Sequence, residues 1–472
     1  MSIMTALFDQ GKIYNFEHAF GAKDITTAAM QDAIKEWARL YYQSKATKDE
    51  DPCQRIPAVV VSKLTKTTFS EYVATPAKRS TGAEYIVAIL AALERSRKKA
   101  VQQALIGGQC FLKPIFGQGL AFSVIPRGCY IPLGRDERDN ITDIGTAERT
   151  VQGRSYFTLL ERRTVDAAGY LTIRNKLYMS DSEDVLGQEV SLVSLEKYAQ
   201  LAPEYTYPTP VWSLGLIPVK VPMENCVDGS PEPVAVYAPA VGLIHNINRN
   251  EALLNGEFDR GQSRVIVPEH MMRRKDDKGR VRRGLEGNVF TAAPMLGEEG
   301  GITIFSPELR EASFLARKAE YLRNVENLIG LKRGLLSEVE AAERTATEIT
   351  SSAGDYNLTI IDFQEMWEGA VREAARVCDV MGRMYKAYSG PEIDPEKDIV
   401  ISWGNGILYD EDQEWLDLKG MVAAGMLKPE IAVGWYFDMP HETPADLQKI
   451  REKYMPEIEA MAGDGGDGDG VC

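Results

Sequence analysis

The chain has 472 residues, enough for about three structural units at the usual domain size. Its 54 Lys and Arg against 69 Asp and Glu give a net charge of −15 and a pI near 5.0, which excludes a protein that grips polyanions over its whole surface, so any nucleic-acid contact must be local. A mean hydropathy of −0.25, 44% hydrophobic and 26% charged residues argue against both global disorder and a membrane protein.

The longest apolar run, Tyr85 to Leu93, has nine residues, far short of the ~20 that cross a bilayer. The first residues, Met1 to Asp9, hold no basic region followed by an apolar stretch, so the expectation is a cytosolic chain without a secretory signal. Six cysteines (Cys53, Cys110, Cys129, Cys226, Cys378, Cys472) form no CxxC pair and are expected to be reduced. Four histidines (His18, His245, His270, His441) are too scattered to put two imidazoles on one metal, which argues against a metal hydrolase. No metal or other cofactor is expected.

A first helix is predicted after Asp24, with Ala29, Ala33, Ile34, Trp37, Ala38 and Tyr41 at helical spacing. Ile56 to Ser62 reads as a short β-branched strand, and Tyr85 to Ala104 as a helix whose second half is strongly charged. From Gly107 to about Pro222 the period shortens to that of strands divided by Gly, Pro and Asp turns, as in Cys110 to Phe116, Ala121 to Ile125, Tyr156 to Glu161 and Tyr170 to Tyr178. Helical spacing returns at Val236, Tyr237, Ala240, Val241, Ile244, Ile247, Leu254 and Phe258. Short strands follow at Arg264 to Val267, Asn288 to Phe290 and Ile302 to Phe305. The next helix is predicted to begin with Ser306 as N-cap and Pro307 in its first turn, and to stop at Gly330. After a loop over 331–344, Ile349, Ala353, Tyr356, Ile360, Phe363, Trp367, Ala370, Ala374, Val377, Met381 and Met384 advance by alternating fours and threes, a heptad-like seam. Gly354 is its natural bend, because glycine weakens a helix interior by about 1 kcal/mol relative to alanine. The C-terminal part holds a strand at Ile399 to Trp403, helices beginning near Asp410, Pro429 and Thr443-Pro444, and an Asp/Gly tail over 463–472 expected to be disordered.

Catalytic motifs are not readable. Gly117-Gln118-Gly119 and Gly404-Asn405-Gly406 complete no phosphate loop and read as turns; the acidic tail lacks the glutamate and flanking helices of an EF-hand, and no serine sits in a GxSxG elbow. A local concentration of charge remains: Arg273, Arg274, Lys275, Lys278, Arg280, Arg282 and Arg283, suited to phosphates or an acidic partner surface, with a solvated hairpin tip as the ordinary alternative.

The order helix, small insert, helix, loop, long helix resembles the bacteriophage portal proteins, in particular the SPP1-type portal family. The stretches that carry this are Glu36-Trp37-Ala38-Arg39-Leu40-Tyr41, similar to an early Trp…Tyr helix; Gly261-Gln262-Ser263-Arg264-Val265-Ile266-Val267, similar to the strand entering the clip; and Arg344-Thr345-Ala346-Thr347-Glu348-Ile349, similar to the Thr-Ala-Thr-Glu signature that opens the long helix. Asp228-Gly229-Ser230-Pro231-Glu232-Pro233 departs from the family pattern in lacking a small Gly-Ser continuation.

The resemblance implies an α+β, portal-like fold. Its parts are a mixed α/β wing over 1–233, a two-helix stem (234–262 and 306–330), a small α/β clip (263–305) and a tunnel loop (331–344). A long bent wing helix (345–388) and a wing strand with a helical crown (389–462) follow. The implied protein is no enzyme. It is a ring of twelve subunits at a capsid vertex of the virion, assembled in the host cytoplasm, through which double-stranded DNA passes without sequence recognition. The implied partners are the terminase large subunit, a head-completion adaptor, and the major capsid and scaffolding proteins. Within it Lys332, Arg333, Leu335 and Leu336 would face the channel, the basic run Arg273 to Arg283 would meet the terminase, and Leu322, Val325, Ile329 and Trp367 would touch neighbouring subunits. An acidic chain suits a channel along which a polyanion must slide. Two other classes stay open at this point: another virion connector ring, and a soluble enzyme whose site assembles only in space.

Overall fold

The computed structural model describes residues 15–42, 53–77, 82–117, 119–261, 264–267, 273–275, 281–283, 289–291, 303–305, 308–337, 346–403, 411–437, 439–440 and 443–455. The chain divides into two compact units, 1–403 and 404–472.

In the first unit, α1 (Phe16–Phe20) and α2 (Ala28–Tyr42) precede α3 (Ile56–Thr68), β1 (Val73–Pro76) and the 25-residue α4 (Ala83–Gly107). Helix α3 corrects the strand expected at Ile56 to Ser62. Pro57 occupies its first turn, where a missing N–H costs nothing, and Val60, Val61, Leu64, Thr65 and Thr68 bury one helical face, so packing overrides the β-branched preference. Ile86, Ile89, Leu93, Ser96 and Ala100 bury a stripe of α4 at three-and-four spacing.

Strands β2 (Gln109–Gly117) and β3 (Gly119–Ile125) make an antiparallel hairpin, extended by β10 (Ile217–Lys220) against β2. A second sheet runs β4 (Tyr130–Arg135), β5 (Ile141–Gln152), β6 (Ser155–Val165), β7 (Leu171–Ser180) and β8 (Gln188–Val190) in order, with β9 (Glu204–Thr206) also on β7. The predicted β-rich block is therefore present as two antiparallel sheets. They are joined by Glu161 of β6, whose carboxylate takes Lys113 Nζ of β2 at 2.6 Å and the Nε of Arg163 at 2.6 Å. The Arg163 guanidinium also donates to the carbonyls of Leu214 and Gly215. Burial alone would push the Glu161 carboxyl up, but these two cations outweigh it and hold it at about 2.

The segment after β10 was expected to be helical from residue 234. It forms no α-helix there: residues 236–237 are a turn, Ala238–Ala240 make a single 3-10 turn, and α5 covers only Val241–Gly261. The physical reason lies at the end of α4. The last carbonyls of a helix have no partner within it, and here the Val236 N–H donates to Leu105 O at 3.0 Å while the Tyr237 hydroxyl reaches Ile106 O at 3.3 Å and Trp37 O at 2.9 Å. Those bonds hold residues 236–237 in a turn ahead of α5. Gly108, at φ +84°, turns the chain there; a Cβ on it would stand 2.4 Å from the Pro233 carbonyl oxygen. The same segment is fixed from the second sheet by Glu232, whose carboxylate lies between Arg127 (3.1 Å) and Arg135.

Beyond α5, short strands pair as β11 (Arg264–Val267) with β14 (Val289–Thr291) in parallel and with β15 (Thr303–Phe305) antiparallel, and β12 (Arg273–Lys275) pairs with β13 (Val281–Arg283). Helix α6 (Glu311–Ile329) starts four residues later than a Ser306 N-cap predicts, with Arg310 in the N-cap position. Its predicted stop holds: Gly330 is left-handed, at φ +72°. Ser306 and Pro307 lie outside the described residues.

Helix α7 (Ala346–Met384) is unbroken over 39 residues and runs through Gly354. A short turn of helix, α8 (Pro395–Asp398), leads into β16 (Ile399–Ser402), which pairs antiparallel with β1. The second unit contains α9 (Glu411–Ala423), α10 (Pro429–Tyr436) and α11 (Pro444–Tyr454), the last capped by Thr443. Phe437 stacks on Tyr454 at 4.4 Å, and Arg451 binds the buried Glu430. The unit boundary at 404 puts the strand with the first unit and the three predicted helices in the second. Gly404-Asn405-Gly406 and the 463–472 tail lie outside the described residues. Among the described residues no helix is long and apolar enough to cross a membrane.

Two outcomes follow from these junctions. Gly108→Ala should destabilise the first unit by at least about 2 kcal/mol, combining left-handed strain with a backbone collision. Gly21→Ala, also at positive φ but with open space around it, should cost only about 1 kcal/mol; urea midpoints compare the two. Because the Glu161 carboxyl sits at about 2 instead of its ordinary 4.5, its stabilisation is complete above pH 4.5 and is lost as pH falls toward 2. The stability advantage of the native chain over Glu161→Gln should therefore shrink across that window in a pH series of unfolding curves.

Candidate functional site: the antiparallel helix pair and the turn that follows it

Helices α5 and α6 lie antiparallel, as their pairings show: the Arg310 guanidinium grips Glu257 with two bonds of 2.9 and 2.8 Å, Lys318 binds Glu251 at 2.8 Å, and Asn250 Nδ2 donates to the Phe314 carbonyl at 3.0 Å. Gly261 lets Leu309 pack directly against the end of α5. On the other side, Lys318 also reaches Gln54, and the Gln54 N–H donates to Asn248 Oδ1, tying the pair to the chain before α3.

Of the residues expected to touch a neighbouring subunit, Val325 and Trp367 are fully buried and Ile329 is 4% exposed within the chain itself. Trp367 meets Phe69 edge-on at 5.7 Å, in a cluster with Tyr72 and Trp403 over which Arg97 lies. The apolar surface of these three is enclosed within the protomer. Leu322 is half-buried. The apolar side chains left exposed on and beside the pair are Leu253, Phe258, Leu309, Leu315 and Leu328. Hydrophobic spacing alone cannot distinguish the two sets, because a wide stripe on α6 serves both the protomer core and an outer face.

The loop residues are divided by the fold. Lys332 and Arg333 are exposed, Leu335 and Leu336 are half-buried, and Leu331 and Ser337 are buried. The turn is closed by Glu326, which was absent from the sequence-level candidates and is fully buried on α6. Its backbone carbonyl accepts from the Leu331 N–H at 2.8 Å, and its carboxylate accepts from the N–H groups of Leu336 and Ser337 and from the Ser337 hydroxyl at 2.7 Å. Gly330 permits close approach to α7, where an added Cβ would stand 2.5 Å from the Thr359 hydroxyl oxygen. A glutamate in a helical stripe carries no sequence signal that it will be enclosed. Only the return of the chain five to eleven residues later supplies its donors.

Five of the basic residues, Arg273, Arg274, Lys275, Arg282 and Arg283, occupy the β12–β13 ribbon, with Arg273 opposite Arg283 and Arg274 opposite Arg282. Lys278 and Arg280 lie outside the described residues. Elsewhere, among the described residues, no three His, Cys, Asp or Glu side chains are grouped to hold a metal ion.

No protein-family model matches the chain, and no curated protein matches it. Among solved structures it is similar to a chain from the neck of a native GTA particle computed with C12 symmetry, at 13% identity and a TM-score of 0.41, over 90% of this chain and 97% of that one. A likeness at this level carries no argument about function.

The burial pattern separates folding from assembly. Val325→Asp should lower the stability of the chain by about 3–5 kcal/mol, because it encloses a charge without a partner, whereas Leu315→Asp on the exposed face should change it by less than about 1 kcal/mol. Chemical unfolding followed by circular dichroism checks both.

Proposed function

We propose that this chain is a portal-type subunit: it assembles into a closed ring whose channel passes double-stranded DNA, and the ring is the docking platform for the packaging motor and for head-completion proteins. The observation that carries the reading is one arrangement. An antiparallel helix pair holds a small β insert between its members in the chain, and is followed by a tied turn and a 39-residue helix. This is the order of parts that the sequence resemblance implies for stem, clip, tunnel loop and wing helix.

Physical chemistry supports the assignment at three points. Rings close through heterologous contacts, which need two different faces on each subunit. Leu315 and Leu328, both exposed, are thirteen positions apart on α6 and so point in directions about 140° apart at ~100° per residue. The net charge of −15 suits a wall along which a polyanion slides. The β12–β13 ribbon carries five of the clustered basic residues, a composition suited to an acidic partner surface; on this reading that partner is the terminase large subunit or the head-completion adaptor. Lys332 and Arg333 are the channel-facing cations of the reading, Gly354 the bend of the long helix, and twelve the subunit number that the resemblance implies. Capsid and scaffolding proteins would surround the ring at a vertex of the virion.

Native mass spectrometry and a negative-stain view along the symmetry axis test this. The full chain should form a large ring with a central channel, and Leu315→Asp combined with Leu328→Asp should abolish the ring while the circular dichroism spectrum is kept. A chain that stays monomeric or dimeric under all conditions would overturn the reading.

A further inference from the structure

Cavities, buried ionic groups, exposed aromatic residues and strained turns each offer a candidate, and the enclosed carboxylate of Glu326 carries the furthest. Burying a carboxylate away from water is expensive unless donors surround it. Closing a helix needs no such group, since backbone bonds at a left-handed glycine suffice. Helix α6 already has that closure: Gly330 is left-handed, and the Leu331 N–H returns to the Glu326 carbonyl at 2.8 Å. The carboxylate therefore does something beyond capping. Its three donors all come from Leu336 and Ser337, ten and eleven residues further along the chain. One residue thus holds both ends of the segment 331–337, by its backbone at the near end and by its side chain at the far end.

Between those anchors the chain is displayed. Leu331 and Ser337 are buried, whereas Lys332, Arg333 and Gly334 are exposed, and Gly334 turns at φ +90°. We propose that Glu326 is a positioning residue that clasps residues 331–337 into a closed turn and thereby sets where Lys332 and Arg333 stand toward passing DNA. The functional half of this inference rests on the portal reading; the clasp itself does not. Opening the clasp would free the far end of the segment, which continues toward α7, and let the two cations move away from a fixed place on the wall.

The test uses the full chain, with Glu326→Gln, which keeps the volume but removes one anionic oxygen, and Ser337→Ala, which removes the hydroxyl donor without touching the helix. Hydrogen exchange should accelerate at least about tenfold at the amides of residues 336 and 337 in Glu326→Gln, and less in Ser337→Ala, with the core of α4 unchanged. Particles assembled with either variant should form rings but retain less DNA per head. Unchanged exchange in both variants would overturn the clasp. Accelerated exchange with normal DNA retention would overturn its role in positioning the cations. If Glu326→Gln fails to fold, Ser337→Ala decides the exchange question alone. Failure of the portal reading is distinct from either result, since it appears as absence of a ring in the unmodified chain.

Discussion

The C-terminal end of α4 is the constraint on which the first unit depends. A 25-residue helix whose last residues, Ala104 to Gly107, are buried must find partners for its last carbonyls. The non-helical segment 234–237 supplies those partners, with Val236 on Leu105 and Tyr237 on Ile106. Because that segment is held there, α5 must begin where it does. Tyr237 adds a bond to the Trp37 carbonyl, so the same junction also fixes α2.

Buried carboxylates secure the places where one element hands over to another. Glu161 joins the two sheets, Glu232 fastens the segment ahead of α5 to the larger sheet through two guanidinium groups, and Glu326 closes the turn after α6. Removing one partner from such a site leaves a charge or a donor enclosed and unmatched, which costs more than the pair contributes when intact. These sites therefore specify geometry more than they add stability. In a chain whose surface is acidic, they are also where glutamate serves the fold instead of the solvent interface.

Polar contacts run along the helix pair: Arg310 with Glu257, Lys318 with Glu251, and Asn250 with a backbone carbonyl. Apolar side chains remain exposed along it, at Leu253, Phe258, Leu315 and Leu328. A pair built this way leaves part of its hydrophobic surface for other contacts, which is what a ring-forming segment requires on the reading proposed above.

Local signals in the sequence determined much of the element order. The helix from Tyr85, the alternating fours and threes of α7, the stop at Gly330, the helix start near Thr443-Pro444 and the β-rich stretch between Gly107 and Pro222 are all set by short-range geometry, and the structure contains each of them. Tertiary structure decided what depends on residues distant in the chain. It made Ile56 to Ser62 a helix, because burial of one face outweighs a β-branched preference; it kept 234–237 out of α5, because the carbonyls this segment serves belong to α4; and it paired β1 with β16 across more than three hundred residues. The same distinction governs the candidate site. Lys332 and Arg333 are visible as charges in a glycine-bounded loop, but the inward fate of Val325, Ile329 and Trp367 and the enclosure of Glu326 follow from which surfaces meet after folding. Periodicity specifies that a face is apolar; only the packed chain specifies what covers it.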